Sequence, residues 1–113
     1  MSQIIVGGDG GTELVGSLRE EGFAIDRVPA PVTARALEDS GIGEATMFVL
    51  TDVDEATSIP IARELNAGLD VIVLSRTSLP EFASPIADLV VHPDAIDPSM
   101  LVEELARRAR STD

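Results

Sequence analysis

The chain predicts a doubly wound α/β sandwich, a parallel sheet between two helical layers. Two observations lead there. Five short apolar runs recur along the chain, and most are aliphatic throughout rather than alternating. Continuous apolar runs mark strands buried on both faces, which occur in parallel sheets. Between the runs lie amphipathic segments, so the order is strand, helix, strand throughout, with right-handed crossovers placing helices on both faces.

The elements follow in order. Ile4-Ile5-Val6 is the first strand. Thr12 to Glu21 is a helix with Leu14, Val15 and Leu18 on one face and Gly22 as its stop. Phe23 to Val28 alternates in part, which suits an edge strand. Pro31 to Ser40 is a helix with Val32, Ala36 and Leu37 inward and Gly41 just past its end. Met47-Phe48-Val49-Leu50 is the third strand. Asp54 to Leu65 is helical, and Pro60 means that it either starts near Thr57 or kinks. Val71 to Leu74 is the fourth strand. Ser78 to Ser84 reads as a short helix, with Ser78 as N-cap, Pro80 in the first turn and Pro85 as stop. Leu89-Val90-Val91 is the last strand. Asp97 caps a final helix that runs to Arg110, with fraying expected after it. Its Arg107, Arg108 and Arg110 sit near the negative end of the helix dipole, so they read as structural. The whole makes one domain over 1–113.

Composition narrows the function. The chain has 113 residues, 20 acidic against 8 basic, and a formal net charge of −12. Every basic residue is Arg. Such a surface repels phosphate backbones, so no nucleic-acid partner is expected. With no cysteine, thiolate chemistry, disulfides and Cys-bound zinc are excluded. His92 is the single histidine, which excludes a His-rich metal site. No apolar run approaches the roughly 20 residues that span a bilayer, so no membrane insertion is expected. The start, Met1-Ser2-Gln3-Ile4, lacks a basic leader, and the expected location is the cytoplasm. With 44% hydrophobic residues the chain carries core material. An acidic, Lys-free surface around such a core points to a salt-rich cytosol. The alternative is an acidic protein from a GC-rich genome.

In an open parallel sheet, ligands bind at the carboxyl ends of the strands. The first loop there is Gly7-Gly8-Asp9-Gly10-Gly11-Thr12, after a strand and opening a helix. That is the context for cradling a phosphate on helix N-terminal amides. Its glycine spacing is broken, Asp9 and Glu13 add negative charge, and no Lys is present. The loop reads either as an anion site or as a Gly-rich turn with no ligand. Thr51-Asp52-Val53-Asp54-Glu55 clusters carboxylates at a helix start, either as caps or as contacts to a ligand hydroxyl or a cation. Arg76 is the one cation expected at this edge and the candidate for meeting a phosphate or carboxylate, with a surface ion pair as the alternative. His92 ends the last strand and reads as structural. The candidate site is therefore Gly7, Gly8, Asp9, Gly10, Gly11, Thr12, Thr51, Asp52 and Arg76.

Several blocks resemble the N-terminal domain of the TrkA/RCK potassium-uptake regulators. They are Phe48 to Thr57, Ile61-Ala62-Arg63-Glu64-Leu65-Asn66, Val71 to Arg76 and Ala87 to Pro93. The chain also resembles a group of small haloarchaeal proteins. The TrkA/RCK resemblance implies a Rossmann-like fold that binds a nucleotide such as NAD or ATP. The chain departs from it: the acid after the second strand is missing, where Val28-Pro29-Ala30-Pro31 stands, and so is the segment holding the family's third strand. Removing that strand leaves five in the order 2-1-3-4-5, the flavodoxin-like order.

Three functions follow. The first is a stand-alone, non-enzymatic RCK-like regulatory or ligand-binding domain, a homodimer holding a nucleotide. The second is a receiver-like signalling module, with Asp9, Asp52 and Asp54 as an acidic pocket and Ser75 at the fourth strand end. A receiver has Lys at the end of its fifth strand, where this chain has His92, and an acidic pair after its first strand, which this chain lacks. The third is a ligand-free protein-interaction domain. No nucleophile and base can be paired from the sequence, so an enzyme ranks last.

Overall fold

The computed structural model describes residues 3–112. Five parallel strands form the sheet: β1 (Gln3–Gly7), β2 (Ala24–Val28), β3 (Met47–Leu50), β4 (Asp70–Leu74) and β5 (Leu89–Val91). Their spatial order is β2-β1-β3-β4-β5, the flavodoxin-like order expected from the sequence. Four helices accompany them: α1 (Thr12–Glu20), α2 (Ala34–Ser40), α3 (Ser58–Leu65) and α4 (Pro98–Thr112).

Each face of the sheet carries its own core. Ile4, Val6, Met47, Val49, Ile72 and Leu74 face α1 and α4. Ile5, Phe48, Leu50, Val71 and Val73 face α2 and α3. The alternation along each strand sends successive side chains to opposite layers. This is why the three central strands read as unbroken apolar runs. At the rim, β2 keeps the partial alternation of an edge strand.

The helix ends differ from expectation in informative ways. Pro31 lies outside the second helix, which begins after Thr33, whose hydroxyl accepts from the Ala36 N–H at 3.1 Å. Gly41 closes that helix with φ +90°, a left-handed cap that glycine adopts without strain. Of the two readings of Pro60, the late start holds. Val53–Glu55 form a separate 3-10 turn, and Pro60 falls in the first turn of α3, where its missing N–H costs nothing. The final helix continues through Ser111 to Thr112, beyond the expected end at Arg110. Asp113 lies outside the described residues.

The expected helix over Ser78–Ser84 does not form. Hydrogen-bonded turns span Glu81–Ile86 instead, anchored by a fully buried Ala83. Pro80 and Pro85 leave too few residues between them for a helix to propagate. The crossover into β5 is thus thinner than the others, and Val90 of β5 is 46% exposed.

Two ion-pair clamps tie the layers together. Arg108 of α4 binds both carboxylate oxygens of Asp70 at 2.8 and 2.9 Å. Arg63 of α3 donates to the carbonyls of Ala67, Leu69 and Ile86 and to the Asp88 carboxylate.

Candidate functional site

The carboxyl ends of the strands gather most of the candidate residues. The loop from Gly8 to Gly11 folds over Thr51 at the end of β3. The Thr51 hydroxyl donates to the Gly7 carbonyl at 3.0 Å and accepts from the Gly10 N–H at 3.2 Å. A methyl group placed on Gly8 would lie 2.5 Å from that hydroxyl, and Gly8 has φ +98°. Both constraints demand glycine there, with no ligand invoked. On Gly7 the methyl would meet the Phe48 ring at 3.1 Å, and on Gly10 it would meet the Thr51 side chain at 3.3 Å.

The loop's polar groups are engaged within the chain. The Gly8 N–H donates to the Val28 carbonyl at 2.9 Å. Arg27, near the end of β2, donates to the carbonyls of Gly8 and Gly10 at 3.0 and 2.7 Å. Two loop amides, those of Gly8 and Gly10, are thus already bonded, and a guanidinium fastens the loop's carbonyls. Arg27 was not legible as a site residue. Its only signal is a charged side chain next to Asp26 in the strand that alternates in part.

The acids serve local structure. The Asp52 carboxylate accepts from the Asp54 N–H at 3.0 Å and caps the 3-10 turn. The Glu55 carboxylate accepts from the Val32 N–H and ties this turn to the approach of α2. Asp9 is exposed in the loop. Among the described residues, no group of three or more acids or histidines is arranged to hold a metal ion. The acidic pocket of Asp9, Asp52 and Asp54 is thus not assembled.

The remaining strand ends are likewise folded on themselves. Ser75 is buried, and its hydroxyl donates to the Thr77 carbonyl at 2.7 Å and accepts from the Thr77 N–H at 3.1 Å. Arg76 makes a two-bond pair with Asp94, at 2.8 and 3.2 Å. That pair raises the pKa of Arg76 and holds the Asp94 carboxyl below its ordinary value, chiefly through the hydrogen bonds between them. The surface-ion-pair alternative for Arg76 is the one realised. His92 is exposed, and its Nδ1 accepts from the Asp94 N–H at 3.2 Å, as suits a structural residue.

One cavity opens at this edge, of about 560 Å³, between α1 and α4. Thr12, Thr51 and Arg76 line it from the candidate set, together with Gly10 and Gly11. Its floor was not anticipated: Leu14, Leu74, Ile96, Leu101 and Val102. In the sequence Leu14 reads as the inward face of a helix and Leu74 as part of a strand, and nothing singles out Ile96, Leu101 or Val102.

Comparison with known structures bears on the fold. A pilus assembly protein from Burkholderia thailandensis is 19% identical over 97% of this chain and 99% of that chain, with a TM-score of 0.65. The chemotaxis response regulator CheY4 of Vibrio cholerae is 13% identical over 96% of this chain and 98% of that one, with a TM-score of 0.61. A chain in the complex of the histidine kinase ThkA with the response regulator TrrA is 25% identical over 80% of this chain and 84% of that chain, with a TM-score of 0.55. The fold is thus that of receiver domains. No match to a curated protein was found.

The TrkA/RCK resemblance is corrected by these neighbours, which are receiver-like, and with it the nucleotide expected at this edge. The blocks that carried it have local explanations. The Arg63 block clamps loop carbonyls, the Arg76 block ends in a surface ion pair, and the Thr51-Asp52 block braces a loop and caps a turn. Over residues 4–105 the chain matches the model of a family of unknown function (DUF7126), and it belongs to that family.

Proposed function

We propose that the protein is a receiver-like signalling module that works through protein contact, without a phosphoryl group on Asp52. The observation carrying this reading is the engagement of the strand ends. The polar groups of Asp52, Ser75 and His92, which a receiver's chemistry would use, accept or donate within their own turns. The receiver fold and the similarity to a chain from a kinase–regulator complex support a signalling context. Beryllofluoride with Mg²⁺, which mimics a phosphorylated aspartate, is expected to leave the amide NMR signals of Asp52 and its neighbours unmoved. A localised shift at Asp52 would overturn the phosphate-free part of the reading.

The proposal keeps one domain over 1–113, a salt-rich cytoplasm and a homodimer. Among the described residues no helix is long and apolar enough to cross a membrane. Self-association is supported by β5, an edge strand whose Val90 is exposed beside the thin crossover that leaves Phe82 50% exposed. An edge strand offers unpaired backbone groups to a second copy, here over the three residues of β5. Sedimentation in molar KCl is expected to give twice the 11.9 kDa of one chain. Val90→Asp is expected to reduce that to one. A wild-type mass of one chain would remove the homodimer from the proposal, and a double mass retained in Val90→Asp would remove β5 as its interface.

A further inference from the structure

The cavity between α1 and α4 is an open groove with an apolar floor, and Glu13 and Arg76 are the charged residues that line it. Leu14, Leu74 and Leu101 are each 7–8% exposed, whereas Ile4, Val49 and Leu105 of the same core are fully buried. The difference is the groove itself, which bares one side of three core residues. Ile96 and Val102 extend the apolar surface outward. The volume of about 560 Å³ lies in the range of ligand clefts, roughly 300–1,000 Å³.

The charge around it decides what fits. Arg76, the cation at the lip, is already paired with Asp94. Glu13 lines the groove and is exposed, with no such partner among the contacts described. Asp9 stands exposed in the adjoining loop. Of the two charged residues lining the groove, Arg76 is thus occupied and Glu13 is open to a partner. A positively charged group meets a ready partner, and an apolar group finds a floor.

We propose that this groove receives a segment of another protein carrying an aliphatic or aromatic anchor flanked by Arg or Lys. The anchor lies on Leu14, Ile96, Leu101 and Val102, and a flanking cation pairs with Glu13. This rests on the reading of the molecule as a module that works by protein contact, and it names the chemistry of the partner. In molar salt the screening length falls to about 3 Å. The pair with Glu13 must therefore be a direct contact, while the apolar anchor supplies most of the affinity.

A random peptide library panned against the intact protein tests this. A second panning uses Ser17→Phe, which places a ring in the groove from a half-buried position on α1 and is first checked for an unchanged melting curve. If Ser17→Phe melts early, Val102→Lys, at another half-buried groove position, replaces it. Sequences pairing an apolar anchor with basic flanks are expected to be enriched on the wild type and lost on the blocked variant. A synthetic peptide from that set is expected to shift the amide signals of Leu14, Ile96, Leu101 and Val102, and Glu13→Gln is expected to weaken it about twofold to fivefold. Inorganic phosphate is expected to shift none of them. Enrichment of acidic sequences, equal enrichment on the blocked variant, no enrichment, or a phosphate shift in the groove would each overturn the proposal. The beryllofluoride result is independent of all of these, so either proposal can fail alone.

Discussion

Thr51 takes part in the packing or bonding of three of the residues in the candidate site. It bonds Gly7 and Gly10, and it stands where any side chain on Gly8 would have to go. Gly8→Ala is expected to destabilise the protein by about 2–4 kcal/mol, from left-handed backbone strain together with the clash. In a Thr51→Ala background the clash with the hydroxyl is gone, and the strain and the 3.2 Å approach to the Asp52 Cβ remain, about 1–3 kcal/mol. Urea melts of the four proteins in this double-mutant cycle measure the coupling. A coupling of zero would mean that the two residues do not constrain each other. Arg27→Met removes the clamp on the loop carbonyls and is expected to cost about 1–3 kcal/mol, read in the same melts. The site residues were legible as a group, because a glycine loop after a strand always arrives at the carboxyl edge. Their role was not. Glycines selected for a phosphate and glycines selected for close packing look alike until the neighbour, here Thr51, is placed beside them. The same holds for Arg76, whose partner Asp94 lies in another loop.

At the scale of elements, strands and helix stops were legible because each is written locally. Ile4-Ile5-Val6 and Met47 to Leu50 are buried on both faces, and Gly41 marks an end that only glycine closes without strain. The crossover at Ser78–Ser84 was misread because a capping residue followed by proline is a sound start signal. The signal is silent about length, and Pro85 arrives before a helix can propagate. The start of α4 carries a pH prediction. Asp97 accepts from the Ser99 hydroxyl and N–H, which holds its carboxyl below the ordinary value. A carboxylate depressed in the folded state stabilises above its unfolded pKa, about 4, and loses that contribution as pH falls through the folded value. Asp97→Asn retains a capping oxygen but does not titrate. Its stability difference from the wild type is therefore expected to shrink between pH 5 and the acid limit, followed by urea midpoints across that range. A second element-scale test is Arg108→Met. It leaves Asp70, 14% exposed at its side chain, without the bidentate partner, and the expected cost is about 1–3 kcal/mol.

For the whole molecule, the net charge of −12 on 113 residues is a self-repulsion that salt relieves. The melting temperature is expected to rise steadily from low salt into molar KCl, and a flat profile would sink the assignment to a salt-rich cell. That charge also sets which partners can approach, since carboxylates crowd the edge where the strands end. The braced loop beneath them has a consequence for how information passes through such a molecule. A switch needs two arrangements separated by a small free-energy gap, and a ligand that prefers one of them. Gly8 to Gly10 are held by Thr51 from one side and Arg27 from the other, with a carbonyl of β2 closing the third. A partner that moves this loop must break those bonds first, so it could make this edge a switch only by holding the moved arrangement far more tightly than the one seen.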